Sequence, residues 1–138
     1  PEYQKYLNDI KLNIEEKGLE SKISFLGFQN DVIPLLNNSD FFIHTPLSPD
    51  PFPTVIFEAI NCKTPVITNN LGGAYEILND GKNGLIIEND LIEESVDQIL
   101  KYINNKQQLK ENIDNAYRYV HENFSLKKFK KEILYTIE

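Results

Sequence analysis

The sequence holds no tryptophan, no methionine and a single cysteine, Cys62. One cysteine excludes an internal disulfide. With only two histidines, His44 and His121, far apart in the chain, the spacing of a zinc site is missing as well. The lone thiol points to a reducing, cytosolic setting. No run approaches the roughly 18 apolar residues of a membrane span, and the N-terminal segment lacks the apolar stretch of a signal peptide. Positive charge is scarce too, with 14 basic against 21 acidic residues and a formal charge of −7. Nucleic-acid affinity comes largely from lysine and arginine neutralising phosphates, so the balance argues against a nucleic-acid partner, and any nucleotide must be held locally. At ~100–200 residues per domain, a chain of 138 residues reads as one unit, residues 1–138.

What is present is an alternation of two hydrophobic periods. Tyr6, Leu7, Ile10 and Ile14 recur at helical spacing between Tyr3 and Lys17, and Gly18 ends that helix. Lys22 to Gly27 (KISFLG) reads as a strand, followed by Asn30-Asp31 as a cap for a short helix bearing Val32, Leu35 and Leu36. The unit then recurs. Asp40 to Thr45, Pro65 to Thr68 and Gly84 to Glu88 are apolar, strand-like runs, whereas Thr54 to Cys62, Ala74 to Leu78 and Ile92 to Ile103 are helical. Unbroken apolar strands alternating with helices predict an α/β fold, a Rossmann-like parallel sheet flanked by helices. Two further helices, Gln107 to Glu122 and Leu126 to Ile137, make up a C-terminal helical part of about 107–138, with Ser125 able to cap the second.

Ligands of open parallel sheets bind beyond the carboxyl ends of the strands. Three loops qualify. His44 to Pro53 carries four of the seven prolines in the chain and leads into the helix of Glu58. Proline fixes φ and removes amide donors, so this loop is stiff, and the amides left free at Thr54, Val55 and Phe52 offer an anion a helix start. Asn69 to Gly73 holds paired glycines, which permit a close ligand approach or a positive φ, ahead of the helix carrying Glu76. Asn79 to Gly84 is turn chemistry.

The run from Asp50 through Phe52, Pro53, Thr54 and Val55 to Glu58 resembles the acid-x7-Glu motif of GT4-like retaining glycosyltransferases with two Rossmann domains (GT-B), also called glycosyl transferases group 1. Pro65-Val-Ile-Thr, Gly72-Gly73-Ala-Tyr-Glu76, Asp80-Gly81-Lys-Asn-Gly84, Ile23-x-Phe-Leu-Gly27 and Ser39-Asp40 follow the same family in order, over about residues 3 to 125. The resemblance implies the donor-binding C-terminal domain of such an enzyme, N-terminally truncated. It would move a sugar from a nucleotide-sugar donor, a UDP- or GDP-sugar, to a glycan or lipid-linked surface-polysaccharide acceptor, without a metal. Asp50 and Glu58 are the implied catalytic-site carboxylates, Glu58 on the ribose hydroxyls and Asp50 on those of the sugar. The Phe52-Pro53-Thr54-Val55 backbone meets the sugar or diphosphate, Gly72, Gly73 and Glu76 line the same site, and Gly27 belongs to the base pocket. A carboxylate suits a vicinal diol because it can accept two hydroxyl hydrogens at once.

Three departures accompany the likeness. Asp50 stands where the family usually has Glu, and Lys63 where it often has Gly. The family's Gly-Arg…Lys-Gly diphosphate segment lies upstream of Pro1, so the fragment is expected to bind a donor without turning over by itself. The implied partners include the missing N-terminal Rossmann domain. With four strands remaining, an exposed sheet edge leaves room for a dimer. The expected location is the cytoplasm, with a peripheral contact at the inner face of the cell membrane also open to it.

Each residue has a plainer role beside the functional one. Glu58 alone reads as a surface glutamate, Asp50 as a turn residue and Glu76 as a first-turn acid favoured by the helix dipole. His44 reads as structural, Cys62 as an inert buried thiol, and Phe41 and Phe42 as core. The lysines 127, 128, 130 and 131 form a solvated face or a contact for anionic lipid or a partner. Two other functions stay open: a non-catalytic nucleotide-sugar-binding or partner-docking module of the same fold, and the 2-epimerase or glycogen-phosphorylase branch of GT-B proteins.

Overall fold

In chain order the helices are α1 (Glu2–Glu16), α2 (Ile33–Asn37), α3 (Thr54–Asn61), α4 (Ala74–Ile77), α5 (Ile92–Asn104), α6 (Lys106–Asn123) and α7 (Leu126–Ile137). The strands are β1 (Phe42–His44), β2 (Val66–Asn69) and β3 (Leu85–Ile87). The structure is a computed structural model and describes residues 2–88 and 90–137. The chain divides into two compact units, Pro1–Asp31 and Val32–Glu138.

In the second unit the strands form a parallel sheet in the order β1-β2-β3, with Phe42 opposite Val66 and Ile67 opposite Leu85. All four residues of β2 are buried, as expected for the middle strand of a helix-flanked parallel sheet. Ile56, Ala59 and Ile60 from α3, Val66 from β2, Ala74 and Ile77 from α4, and Ala116 and Val120 from α6 make one core, joined by Leu36 and Leu78. Phe42 and the half-buried Cys62 pack against it. Tyr102 of α5 is buried beside Phe41, with ring centroids 6.5 Å apart. Burial pushes its phenol pKa up, against a smaller opposing pull from the Asn112 side chain.

One chain-ending device recurs three times. After α1, Gly18 (φ 61) donates to the Glu15 carbonyl and Leu19 to that of Ile14. After α3, Lys63 (φ 57) donates to Ile60 and Thr64 to Ala59. After α4, Asn79 (φ 51) donates to Glu76 and Asp80 to Tyr75. These are Schellman closures, which satisfy the last carbonyls of a helix through one left-handed residue. Gly18 is the residue expected there, whereas Lys63 holds the same geometry with a Cβ in place. Its ammonium lies 5.3 Å from the centroid of the Tyr117 ring on α6.

One sequence expectation fails. Lys22 to Gly27 is irregular, every residue from 21 to 30 is exposed, and Phe28 is 90% exposed. A strand exists only within a ladder, and none of the described segments pairs with this run. The sheet therefore has three strands among the described residues rather than four. In the first unit the segment instead lies beside α1, where Ile23 and Phe25 line a cavity with Lys11 and Ile14, and the Lys11 ammonium stands 5.5 Å from the Phe25 ring centroid. The position before α2 is Val32, whose side chain makes no capping bond, and Pro34 in the first turn supplies the pre-set φ. Ser125 does cap α7, its hydroxyl accepting from the Lys128 amide at 3.3 Å.

The left-handed closure at Lys63 separates two effects of one side chain. Lys63→Ala keeps the Cβ strain and loses the ring contact, whereas Lys63→Gly loses both. The glycine variant should therefore unfold at higher urea, by about 1 kcal/mol relative to alanine. Equal midpoints would show that the left-handed residue costs nothing here.

Candidate functional site

The four prolines between His44 and Pro53 carry no N–H, so the carbonyls of this loop need donors from elsewhere. They find them at the C-terminal end of β2 and just beyond. The Thr68 hydroxyl donates to the His44 carbonyl at 2.7 Å, the Asn69 side-chain amide to Pro46 at 2.8 Å, and the Gly73 amide to Asp50 at 2.8 Å. Three successive ties thus fasten the β1–α3 loop to the β2–α4 segment.

Gly72 and Gly73 make the last tie sterically feasible. Gly72 has φ +74, and a Cβ there would stand 2.7 Å from the Asp50 nitrogen and 2.8 Å from its carbonyl carbon. A Cβ on Gly73 would overlap the Pro51 carbonyl, its carbon atom 2.8 Å away. Of the two uses foreseen for the glycine pair, the positive φ is present at Gly72, and both glycines lie close against the Asp50–Pro51 main chain.

Asp50 is exposed, and its Oδ1 accepts from the Phe52 amide at 2.9 Å, closing an Asx turn. This corrects the expectation of a free Phe52 amide, which its neighbour's carboxylate already holds. Pro53, buried and extended (φ −68, ψ 96), precedes α3, and its carbonyl accepts from Ile56. Thr54 and Val55 occupy the first two positions of the helix, whose amides have no intrahelical acceptor. Glu58 follows one turn later, half-buried, with no hydrogen bond or ion pair to its carboxylate among the described residues. Glu76 lies exposed in the first turn of α4.

The structure thus brings Asp50, Phe52, Pro53, Thr54 and Val55 together with Gly72 and Gly73, and sets Glu58 and Glu76 on the two helices that leave these loops. Gly27, with φ +65 and no atom within 4 Å of an added Cβ, belongs to the first unit. His44 is half-buried with its ring stacked on Phe42, centroids 6.1 Å apart, and its Nε2 is sealed from solvent without a partner among the described residues.

Sequence reasoning missed the aromatic cluster beneath the loop. The Phe52 ring lies 4.9 Å from Phe57 and 6.0 Å from Phe124, Phe57 meets Phe124 edge-on at 5.2 Å, and Tyr119 meets it at 6.0 Å. A cavity of about 650 Å³ opens beside the cluster, lined among others by Phe52, Glu76, Tyr119, Phe124, Lys128 and Phe129. The only sequence signal was the aromatic residue between two helices at Phe124.

Alanine at Gly73 must push the Asp50–Pro51 main chain away, and backbone cannot give as a flexible side chain does. Gly73→Ala should destabilise the chain by about 2 kcal/mol in urea unfolding. Gly81→Ala serves as a reference: its φ of +80 is strained, but its nearest neighbour is an Ile86 side-chain carbon at 3.7 Å. A smaller loss at Gly73 than at Gly81 would remove the loop docking as a constraint.

With the geometry in place, known proteins can be set beside it. The family model described as glycosyl transferases group 1 matches residues 3–119. An uncharacterized glycosyltransferase of Methanocaldococcus jannaschii is 30% identical over 131 residues, 92% of this chain and 32% of its own length. The Escherichia coli UDP-Gal:alpha-D-GlcNAc-diphosphoundecaprenol alpha-1,3-galactosyltransferase is 27% identical over 101 residues, 72% of this chain and 26% of its own. Among solved structures, Anabaena Alr3699/HepE in complex with UDP and glucose superposes with a TM-score of 0.84 and 30% identity, over 97% of this chain and 36% of that one. The chain spans about a third or less of the length of these relatives. From the matched family model and from the relative aligned along nearly all of its length, the chain belongs to the glycosyl transferases group 1 family.

Proposed function

We propose that this chain is the donor-binding part of a retaining, GT4-like glycosyltransferase, which takes a sugar from a UDP- or GDP-sugar and passes it to a glycan or lipid-linked acceptor in the cytoplasm. The observation that carries the reading is the likeness to a structure holding UDP and glucose, across 97% of the chain. The single free cysteine is in keeping with a reducing compartment.

In this reading Glu58 accepts hydrogen bonds from the ribose hydroxyls. Its carboxylate has no hydrogen bond or ion pair among the described residues, and it sits one turn inside α3, behind the amides of Thr54 and Val55. Those amides, at the positive end of the helix dipole, face the diphosphate. Asp50 stands at the sugar end of the loop, with Gly72 and Gly73 holding that end in place and Glu76 beside it. Positive charge near the diphosphate stabilises the negative charge that grows as the sugar leaves. The proposal includes no resident metal ion. The membrane-linked acceptor named for the Escherichia coli relative makes a lipid-linked acceptor and a peripheral membrane contact reasonable parts of the same proposal.

Calorimetric titration with UDP, GDP and their glucose and mannose conjugates tests it. Saturable binding by at least one nucleotide series is expected. Glu58→Gln removes the charge from two hydrogen bonds and should weaken binding about 30-fold. No heat and no thermal shift at millimolar ligand counts against the donor site, and binding of a nucleotide sugar with no transfer to any glycan by the full-length protein favours a non-catalytic module.

A further inference from the structure

We propose that the cavity beside the aromatic cluster is a seat for a neutral pyranose ring of a glycan. The inference uses the membership of a sugar-transferring family and needs no position for the donor.

The cavity, of about 650 Å³, falls within the ~300–1,000 Å³ of small-ligand sites. A loop and two helices bring its wall together: Phe52 comes from the β1–α3 loop, Tyr119 from the end of α6 and Phe129 from α7. The Phe52 ring is braced by Phe57 and Phe124 and still remains 52% exposed, while Phe129 is 59% exposed. Open rings on a concave surface hold apolar area that a ligand can cover.

The polar groups of the wall decide which ligand. Glu76 makes no hydrogen bond or ion pair among the described residues, and Glu132 brings a second carboxylate from α7. Lys128, the one cation on the wall among the described residues, gives its ammonium to Asn123 Oδ1 at 2.8 Å and to Glu132 at 3.7 Å. The wall thus sets two carboxylates against one ammonium already engaged, and an ionised carboxylate only accepts. A phosphate or carboxylate ligand, nucleotides included, meets net negative charge there. A wholly apolar ligand covers the rings but strips water from Glu76 without replacing its hydrogen bonds. A neutral pyranose answers both demands. The C–H groups on one face of its ring lie on the electron-rich face of an aromatic ring, and its hydroxyls donate to the carboxylates.

Ligand-observed NMR of the full chain with the methyl glycosides of glucose, galactose, mannose and N-acetylglucosamine tests this, with UDP, GDP and tetramethylammonium as comparisons. At least one glycoside should bind with a millimolar Kd. Phe129→Ala and Glu76→Gln should each weaken it about fivefold at an unchanged melting temperature, since both side chains are exposed. Phe129→Tyr keeps the ring and should bind as the unaltered chain does. The inference is overturned by the absence of glycoside binding, or by binding that Phe129→Ala leaves unchanged. Tetramethylammonium bound more tightly than every glycoside overturns it as well, because the cavity then serves a cation. So does a loss of UDP or GDP affinity in Phe129→Ala, which makes the cavity part of the nucleotide seat. The donor reading stands or falls separately, on whether UDP or GDP binds at all: nucleotide binding without glycoside binding sinks this inference alone, and the reverse sinks the donor reading alone.

Discussion

The Gly73 amide on the Asp50 carbonyl, with two glycines laid against the Asp50–Pro51 main chain, couples the turns that follow β1 and β2. Adjacent parallel strands place their following loops side by side, but nothing in a ladder dictates how those loops meet. Here they meet backbone to backbone, at a separation that a single Cβ would prevent. The start of α3 and the start of α4 consequently share one reference frame, and Asp50, Thr54 and Glu76 inherit it.

The proline loop makes this coupling necessary. A segment with so few N–H groups cannot satisfy its own carbonyls by turning on itself, and carbonyls shielded from water need donors. Thr68, Asn69 and Gly73 supply three in sequence, each further along the chain and each closing on a residue further along the loop: His44, Pro46, Asp50. Proline stiffness restricts φ, and the ties restrict position. Together they hold a loop that makes almost no regular structure of its own. The aromatic cluster of Phe52, Phe57 and Phe124 supports it from below with packing, joining the loop to the junction between α6 and α7.

Much of this order was readable from residue types because it is local. Helix and strand periods located α1, α3 to α7 and all of β1 to β3 to within about two residues, and the acid-x7-Glu run marked the loop that proved to be fastened in place. What escaped was mostly what depends on a partner distant in sequence. Lys22 to Gly27 has strand composition yet forms no strand, since pairing belongs to two segments and composition to one. The glycine pair announced a close approach without saying to what. Phe124 lies too far along the chain from Phe52 and Phe57 for their contact to show. Lys63 hid a left-handed helix closure, because lysine carries no signal for positive φ, whereas Gly18 did so plainly.

The two carboxylates of the motif are placed in unlike circumstances, and the difference bears on what each can do. Asp50 lends one oxygen to its own loop, so its orientation is fixed before any ligand arrives, and only the other oxygen is left to engage one. Glu58 is half-buried with neither oxygen hydrogen-bonded among the described residues, so each retains its need for donors in a setting where water reaches it only in part. A partly desolvated carboxylate is stabilised by whatever supplies two hydrogens at once, and a vicinal diol does so with a spacing close to that of the two oxygens. The Asx turn needs the carboxylate two bonds from the main chain, a length that aspartate has and glutamate exceeds. The short acid at position 50 is therefore coupled to the prolines on either side of Phe52. The aspartate secures the one amide they leave, and a glutamate introduced at this position would release it.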